Sequence, residues 1–502
     1  MRRNLTPAAG FLFLGLWATY CAFGLLLAEN FGFLTRENAA ISARAILAAH
    51  GAPLSMLTLG VPNPPLPYVL AVPFAALHLP FPAIWVSSLM GALLCTWFFV
   101  WFRRDVAQAP VLILPLLLLP VLPGVLHSSA AGTPAIAAMA FLVFAVHLAA
   151  RFALEQQTWN DLRRDGRLPA WSHSAQEQAH AIRFLWASAL LLGLASCAQP
   201  GLLLALPVLL LATPFLLPPA ERRNWPRSLT TALLLYLPIL TLHVATASLG
   251  GLFTGDFFAL MKPQGETTFT AWSPSVASLR EPLVGFLLTA PVLLYVVIRL
   301  RNAAVALLCG VPFLVPLIET ALGGSPDWRT LLTTAPLLAT ALLFLGFRSN
   351  RFSRPELGGL VVASMISACT AWLFFAASPV PEERAIASLI TGRASDVTTF
   401  RAERELANRL DEGSAILLDA RAGAVFVTLK NDAAPFLLSG DRRFHFHLAN
   451  PHTAPHRVLM SHDDEVTRAW ESLTPAKTIA FREVASAGAW RLLAPLHSVP
   501  SP

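Results

Sequence analysis

Charge is scarce in this sequence. Only 13% of the 502 residues are Asp, Glu, Lys or Arg, whereas 55% are hydrophobic, and the mean hydropathy is +0.59. A typical soluble domain carries roughly 25% charged residues. The composition therefore excludes a water-soluble globular protein and predicts a polytopic membrane protein.

Lysine is nearly absent. It occurs only at positions 262, 430 and 477, so the net charge of +7 comes almost wholly from arginine. The arginines stand in small groups at the ends of apolar runs rather than along one basic face. This distribution is typical of membrane topology and does not indicate a nucleic-acid partner.

Cysteine motifs are absent as well. The five cysteines lie inside predicted membrane spans, and no C-x-x-C pair or Cys/His cluster exists. The sequence therefore suggests neither a disulfide framework nor a zinc site. No cofactor is predicted, and a divalent metal, although compatible with the chemistry considered below, has no support in the sequence.

Long apolar runs are abundant. Eleven of them are predicted to cross the membrane, at 9–28, 82–102, 110–126, 132–150, 184–198, 201–218, 229–249, 282–299, 303–322, 330–347 and 357–377. The first is interpreted as a retained helix rather than a cleaved signal peptide, because it has spanning length and no small-x-small cleavage site. The run at 66–79 has only fourteen residues, about 21 Å as helix, and is predicted to lie in the interface or half-inserted.

The arginines support this arrangement. With eleven crossings and a cytoplasmic N-terminus, seventeen arginines lie on the cytoplasmic side, against five Arg or Lys residues in outer loops before residue 378. This is the asymmetry of the positive-inside rule. The predicted location is the inner (plasma) membrane, multi-pass, with the C-terminal domain outside the cytoplasm.

The composition becomes more polar after residue 378. Residues 400–413 predict an amphipathic helix, 415–419 and 457–462 strands, 424–431 a helix or strand, 465–473 a helix, and 478–496 a closing hairpin. The predicted domains are thus a membrane domain over 1–378, with its first outer loop at 29–80, and a small α/β domain over 379–502. Four histidines between 445 and 456 match no standard metal spacing.

The first outer loop carries the most informative pattern. It predicts a helix with Thr35 as N-cap and Glu37 in the first turn. Glu37, Ile41 and Arg44 follow i, i+4, i+7 spacing and so share one face. An acid in a first turn also has a purely structural role against the helix macrodipole. On a common face, however, the acid and the arginine suit a phosphate-bearing substrate.

This loop resembles a known pattern. The acidic start, the Ala43-Arg44 pair, the His50-Gly51 end and the segment PNPPLPYVL are similar to the first outer loop of GT-C-fold glycosyltransferases, most of all the mannosyltransferase and aminoarabinose-transferase branch. The resemblance implies a GT-C-like all-α polytopic membrane fold. It also implies a polyprenyl-phosphate-linked sugar as donor, with Glu37 as catalytic base and Arg44 as phosphate contact.

The match departs from the family pattern at several positions. The catalytic Asp-Glu pair of the family falls on Thr35-Arg36, and the basic residue before the double proline is Asn63. Where the family has a Lys-Pro or Lys-Gly break between two spans, this sequence has Gln199-Pro200. The glutamine implies either a neutral substrate contact or a plain polar turn. The turn at 127–133 lacks the aspartate that relatives often carry.

Two further residues are candidate substrate contacts. Glu319 lies just inside the end of a predicted span, and Arg329 is close to it in sequence at the same membrane side. Acids within spans are costly and usually face a partner or a wet cavity. An ion pair between the two at the interface is an equally good interpretation.

Two functions follow from these observations. The first is a membrane glycosyltransferase that moves a sugar from a polyprenyl-phosphate donor to a lipid or glycan acceptor on the outer face. The alternative is a non-enzymatic GT-C-fold homologue, or a lipid-linked sugar transporter or assembly partner.

Overall fold

The computed structural model of the protein describes residues 7–50, 65–164, 175–217, 224–254, 290–321, 328–348, 352–377, 399–410, 415–419, 422–438, 442–450, 457–461, 464–471 and 481–495, together with 284, 384, 387 and 388. Helices form almost all of the described part before residue 377. They are α1 (Pro7–Glu29), α2 (Arg36–His50), α3 (Pro65–Ala76), α4 (Pro82–Gln108), α5 (Ile113–Leu118), α6 (Pro123–Ala130), α7 (Ala135–Arg164), α8 (Ala175–Ala198), α9 (Leu206–Leu216), α10 (Trp225–Thr254), α11 (Pro291–Leu300), α12 (Ala303–Ala321), α13 (Trp328–Arg348) and α14 (Arg354–Ala376).

The predicted all-α polytopic membrane fold is confirmed. Within the described residues, six helical segments are long and apolar enough to cross a membrane. They are 7–29, 82–103, 110–130, 135–157, 225–248 and 355–376. Shorter apolar helices lie in four of the other five predicted spans, at 182–198, 291–300, 303–315 and 334–347. The fifth, 201–218, contains the eleven-residue α9. The chain is therefore a multi-pass membrane protein.

The predicted span at 110–126 is not one continuous helix. Two 3₁₀ turns, Pro110–Leu112 and Leu119–Val121, enclose the six-residue α5. Prolines recur at 110, 115, 120 and 123. Proline has no N–H and its ring clashes with the preceding turn, so this spacing divides the run into short pieces.

The short helix α3 lies against the end of α2. It has twelve residues, about 18 Å, well short of the roughly 30 Å hydrocarbon core. His50 Nε2 donates to the Ala75 carbonyl oxygen at 2.8 Å, and the His50 and His78 rings stack with centroids 4.0 Å apart. The C-terminal ends of α2 and α3 are thus neighbours, and the half-inserted position of this segment stays a prediction.

The membrane helices differ in how far they are enclosed. In the most apolar stretch of α7, 78% of the residues are buried, whereas in that of α10 the share is 22%. α7 packs against α4, α8, α12 and α13 and forms the centre of the bundle. α10 packs mainly on α8 and leaves a wide apolar face for lipid.

The C-terminal α/β region, residues 399–495, is built on one five-stranded sheet. Its elements are α15 (Arg401–Asn408), β1 (Ile416–Leu418), α16 (Ala424–Lys430), β2 (Phe436–Leu438), α17 (Arg442–Ala449), β3 (Arg457–Ser461), α18 (Glu465–Glu471), β4 (Phe481–Ala487) and β5 (Trp490–Pro495). The strand order is β2-β1-β3-β5-β4, with β1 parallel to β2 and β3, and β5 antiparallel to β3 and β4. The predicted small α/β fold with a closing hairpin is confirmed.

One hydrophobic cluster extends from the bundle into this region. It includes Ile46 and Leu47 of α2 and Val425 and Phe426 of α16. α16 packs directly against α2. The first loop helix is therefore enclosed between the bundle and the C-terminal α/β region.

Candidate active site

Helix α2 begins with the predicted cap. The Asn38 backbone N–H donates to Thr35 Oγ1 at 3.1 Å, and Thr35 Oγ1 donates to the Ala131 carbonyl oxygen at 3.3 Å. An N-cap hydroxyl satisfies one of the free N–H groups of a first helical turn. Thr35 therefore fixes the start of α2 and ties it to the turn between α6 and α7.

Helix α2 is buried on most of its surface. Asn38, Ala39, Ser42 and residues 45–48 are among its buried positions. We call the remaining side the charged strip: exposed Arg36 and Glu37, followed by half-buried Ala40 and Arg44. Glu37, Ile41 and Arg44 lie in one continuous helix at the predicted spacing, and of the three Ile41 is the buried one, at 4% exposure.

A neutral hydrogen-bond network holds the opposite side of α2. Asn38 Nδ2 donates to the Ala131 carbonyl oxygen at 3.0 Å, Ser42 Oγ donates to Asn38 Oδ1 at 2.9 Å, and the Ala83 N–H donates to Ser42 Oγ at 3.2 Å. These groups are buried, and buried polar groups are stable only when paired. The network orients α2 so that its charged strip is the side left open.

Hydroxyl groups also fix the turn at residues 127–133. Ser87 Oγ and Ser88 Oγ donate to the Ser129 carbonyl oxygen at 2.7 and 3.0 Å. Gly132 has a φ of +74° and lies against Asn38. The turn that lacks the family's aspartate thus supports α2 through backbone carbonyl groups.

Arg44 reaches the segment that follows the double proline. Its guanidinium interacts electrostatically with the hydroxyl of Tyr68, which lies in the first turn of α3 and is 5% exposed. Tyr68, the last residue of the PNPPLPY pattern, and the arginine of α2 are therefore neighbours in space.

A second polar group lies between α8 and α10. Gln199 follows the last residue of α8, and its buried Oε1 has no hydrogen-bond partner among the described residues. One turn earlier, Ser196 Oγ forms a hydrogen bond of 2.7 Å with His243 Nε2 of α10. Ser196 and His243 thus form a polar pair between two membrane helices, and Ser196 lies three residues before Gln199 in the chain.

The protein is similar to known proteins in its fold but not detectably in its sequence. No protein-family model and no curated protein matches the sequence. Two crystal structures of ArnT from Cupriavidus metallidurans, one bound to undecaprenyl phosphate and one in the apo state, match with a TM-score of 0.51. Each covers 97% of this chain and 99% of ArnT at 15% identity. ArnT is an aminoarabinose transferase with a GT-C fold. The chain has a GT-C-like fold.

The structure describes only part of the remaining predicted substrate contacts. Asn63 lies outside the described residues. Glu319 lies in the last turn of α12 and Arg329 in the first turn of α13, but their side chains lie outside the description. Their substrate roles stay predictions.

Metal ligands were considered on the same fold. The described parts of the chain contain no group of three or more His, Cys, Asp or Glu side chains placed to hold a metal ion. The expectation that no cofactor is required stays a prediction.

Sequence reasoning missed several neighbours of the candidate site in this GT-C-like fold. Tyr68 was quoted only as part of a motif, and Ser196 was not singled out. Thr428 of α16, whose hydroxyl contacts α2, gave no signal at all, because 389 residues separate it from Ala39 in the chain.

Proposed function

We propose that this protein is a membrane glycosyltransferase that moves a sugar from a polyprenyl-phosphate donor to a lipid or glycan acceptor. The observation that supports this most directly is the charged strip of α2. An acid and two arginines share the open side of a helix that is otherwise buried, next to the segment that resembles the GT-C loop. The similarity to ArnT, which has been crystallised with undecaprenyl phosphate, supports the class of donor.

Glu37 is the proposed base. A carboxylate at the open strip can accept the proton of an acceptor hydroxyl as that oxygen attacks the sugar carbon. The bond between the sugar and the lipid phosphate breaks in the same step. Arg44 is the proposed contact for the phosphate that leaves, because a guanidinium offers paired donors to phosphate oxygens.

The carrier lipid is proposed to approach from the α8–α10 side. Gln199 offers an amide N–H₂ to a phosphate oxygen, and Ser196 and His243 lie beside it. An amide contact is weaker than a charged one. We further propose Asn63, Glu319 and Arg329 as contacts to the sugar or the acceptor, on the sequence pattern alone.

The orientation follows from the arginines. We propose that the N-terminus is cytoplasmic, that the chain lies in the inner (plasma) membrane, and that the C-terminal α/β region lies outside the cytoplasm. The excess of arginine on one set of loops supports this orientation.

The departures from the family pattern favour a second candidate. Thr35, at the position of an expected acid, uses its hydroxyl as the N-cap of α2, and Gln199 replaces a lysine. The alternative function is a non-enzymatic GT-C-fold protein that binds or transports a lipid-linked sugar.

One experiment separates these functions. Purified protein in lipid vesicles is supplied with labelled polyprenyl-phosphate sugars and membrane acceptors, and transfer is measured. Glu37→Gln keeps the size and hydrogen bonding of the side chain but removes the base, so transfer should fall by roughly 10²- to 10⁴-fold.

The matched control is Glu405→Gln. Glu405 is 54% exposed on α15 and pairs with Arg409, a surface pair of small energetic weight. This variant should transfer at the wild-type rate. Equal transfer by wild type and Glu37→Gln would clear Glu37 of the role, and binding of the carrier without transfer by the wild type would favour the alternative function.

A further inference from the structure

The C-terminal α/β region contacts the first loop through its backbone. Thr428 Oγ1 of α16 donates to the carbonyl oxygen of Ala39 in α2 at 2.8 Å. Ala39 lies one turn from the Arg36–Glu37 start of the charged strip, and Thr428 is 1% exposed. Because both Thr428 and Ala39 are buried, the loss of this hydrogen bond leaves a buried carbonyl oxygen with one partner fewer.

Thr399 makes a second contact just before α2. Its hydroxyl donates to the Leu34 carbonyl oxygen at 2.7 Å and accepts from the Leu34 N–H at 2.7 Å, while its own N–H donates to the Gly32 carbonyl oxygen at 3.1 Å. The residue that follows Leu34 is Thr35, the cap of α2. Thr399 therefore fixes the point from which α2 starts.

Two further contacts complete this set. Arg404 Nη2 donates to the Ala28 carbonyl oxygen at the end of α1 at 3.1 Å, and Asn431 Nδ2 donates to the His78 carbonyl oxygen at 3.0 Å. Each of these acceptors is a backbone carbonyl oxygen. Contacts of this kind fix the path of the main chain without using the side chains of the charged strip.

We infer that Thr399 and Thr428 are positioning residues, which hold α2 so that Glu37 and Arg44 keep a fixed geometry toward the substrate. This inference rests on the proposed function for its catalytic consequence. The mechanical part, control of α2 by the C-terminal α/β region, stands on the contacts alone. Catalysis is sensitive to such positioning, because displacement of a reacting group by about 1 Å costs on the order of 10²-fold in rate.

The test compares full-length variants in lipid nanodiscs. Thr428→Val and Thr399→Val replace the hydroxyl by a methyl group of similar shape, and Thr428→Ser keeps the hydroxyl. The control is Thr467→Val, which removes a buried hydroxyl that bonds only inside the same region, to the Ser461 carbonyl oxygen at 2.6 Å.

Hydrogen exchange of peptides covering residues 36–50 is the first measurement. Loss of one buried hydrogen bond should speed exchange there by roughly 3- to 10-fold in both Val variants, and Thr428→Ser should restore protection. Thr467→Val should leave these peptides unchanged. Unchanged exchange in the two Val variants, or equal acceleration in Thr467→Val, overturns the inference.

Transfer kinetics are the second measurement. The two Val variants should lower kcat, because a displaced Glu37 and Arg44 stabilise the transition state less well, whereas Thr428→Ser should restore kcat and Thr467→Val should leave it unchanged. Failure of the wild type to transfer any sugar would count against the proposed function only, since the exchange measurement still decides whether the region positions α2.

Discussion

Several residues at this site have structural roles. One of them, Thr35, stands where the GT-C pattern has a catalytic acid. Thr35 caps α2, and Asn38 and Ser42 tie it to neighbouring backbone groups. Neutral hydroxyl and amide groups can satisfy buried partners without the desolvation penalty of a buried carboxylate. Within α2 itself the acidic and arginine side chains are Arg36, Glu37 and Arg44, and of these Glu37 and Arg44 carry the proposed reaction.

Gly132 gives a residue-scale prediction. Its φ of +74° disfavours any side chain, and an added Cβ would clash with the side-chain amide of Asn38. Gly132→Ala should therefore lower the free energy of unfolding by roughly 1–3 kcal/mol and loosen α2. Thermal unfolding in detergent measures this effect.

The control for that prediction is Gly10→Ala. Gly10 lies in α1 with nothing within 4 Å of an added Cβ, so alanine should leave stability unchanged or raise it slightly through its better helix propensity. Equal melting temperatures for Gly132→Ala and the wild type would show that the turn does not support α2.

At the scale of elements, local pattern predicted most of the helices and strands but not all. The run at 424–431 fitted a helix or a strand, and it is α16, with Val425, Phe426 and Val427 all buried. Periodicity cannot decide such a case, because an element buried on all sides shows no alternation of exposure. The three-residue β2 was missed for the same reason.

The site shows the same limit. Spacing along α2 brought Glu37 and Arg44 to one side, because helical geometry is local. Contacts such as that of Thr428 with Ala39 depend on how distant elements pack, and no local pattern contains that information. The histidine-rich run, which matched no standard metal spacing, forms helix α17 over its first part, while residues 451–456 lie outside the described ones.

The start of α18 gives a prediction at the element scale. Asp464 is fully buried, and its carboxylate accepts the N–H groups of Ser461 and Thr467 at 2.7 and 2.6 Å. Burial raises the pKa of Asp464 above its ordinary value despite these bonds. The folded chain therefore holds a proton that the unfolded chain releases, and stability from this group falls as pH rises from the ordinary pKa through the folded pKa.

Asp464→Asn tests this pH dependence, because asparagine does not titrate. The difference in stability, wild type minus variant, should be larger at pH 4 than at pH 7. Hydrogen exchange of peptides covering residues 457–471 measures it, and comparison at equal pH cancels the intrinsic pH dependence of exchange. A difference that is constant between the two pH values would contradict the raised pKa.

At the scale of the whole molecule, the contacts of the C-terminal α/β region constrain the number of crossings. Arg404 bonds to the end of α1, and Thr399 to the residues that follow it, so the region lies at the membrane side where α1 ends. The chain from residue 34 to residue 399 must therefore cross an even number of times. Together with α1 this gives an odd total, as the eleven predicted spans require.

Topology reporters test this arrangement residue by residue. Fusions after Arg104, Arg227 and Arg354 should report the cytoplasm, and fusions after Gly251 and at the C-terminus should report the outer side. The fusion after Arg104 is decisive for α3: Thr428 bonds to Ala39 and Asn431 bonds to His78, so the chain on both sides of α3 meets the same C-terminal region. A helix of twelve residues that starts and ends at one surface cannot place Arg104 outside when α4 crosses after it. An outer signal at Arg104 would mean that residues 66–79 do span, and it would reverse the arginine asymmetry of every later loop.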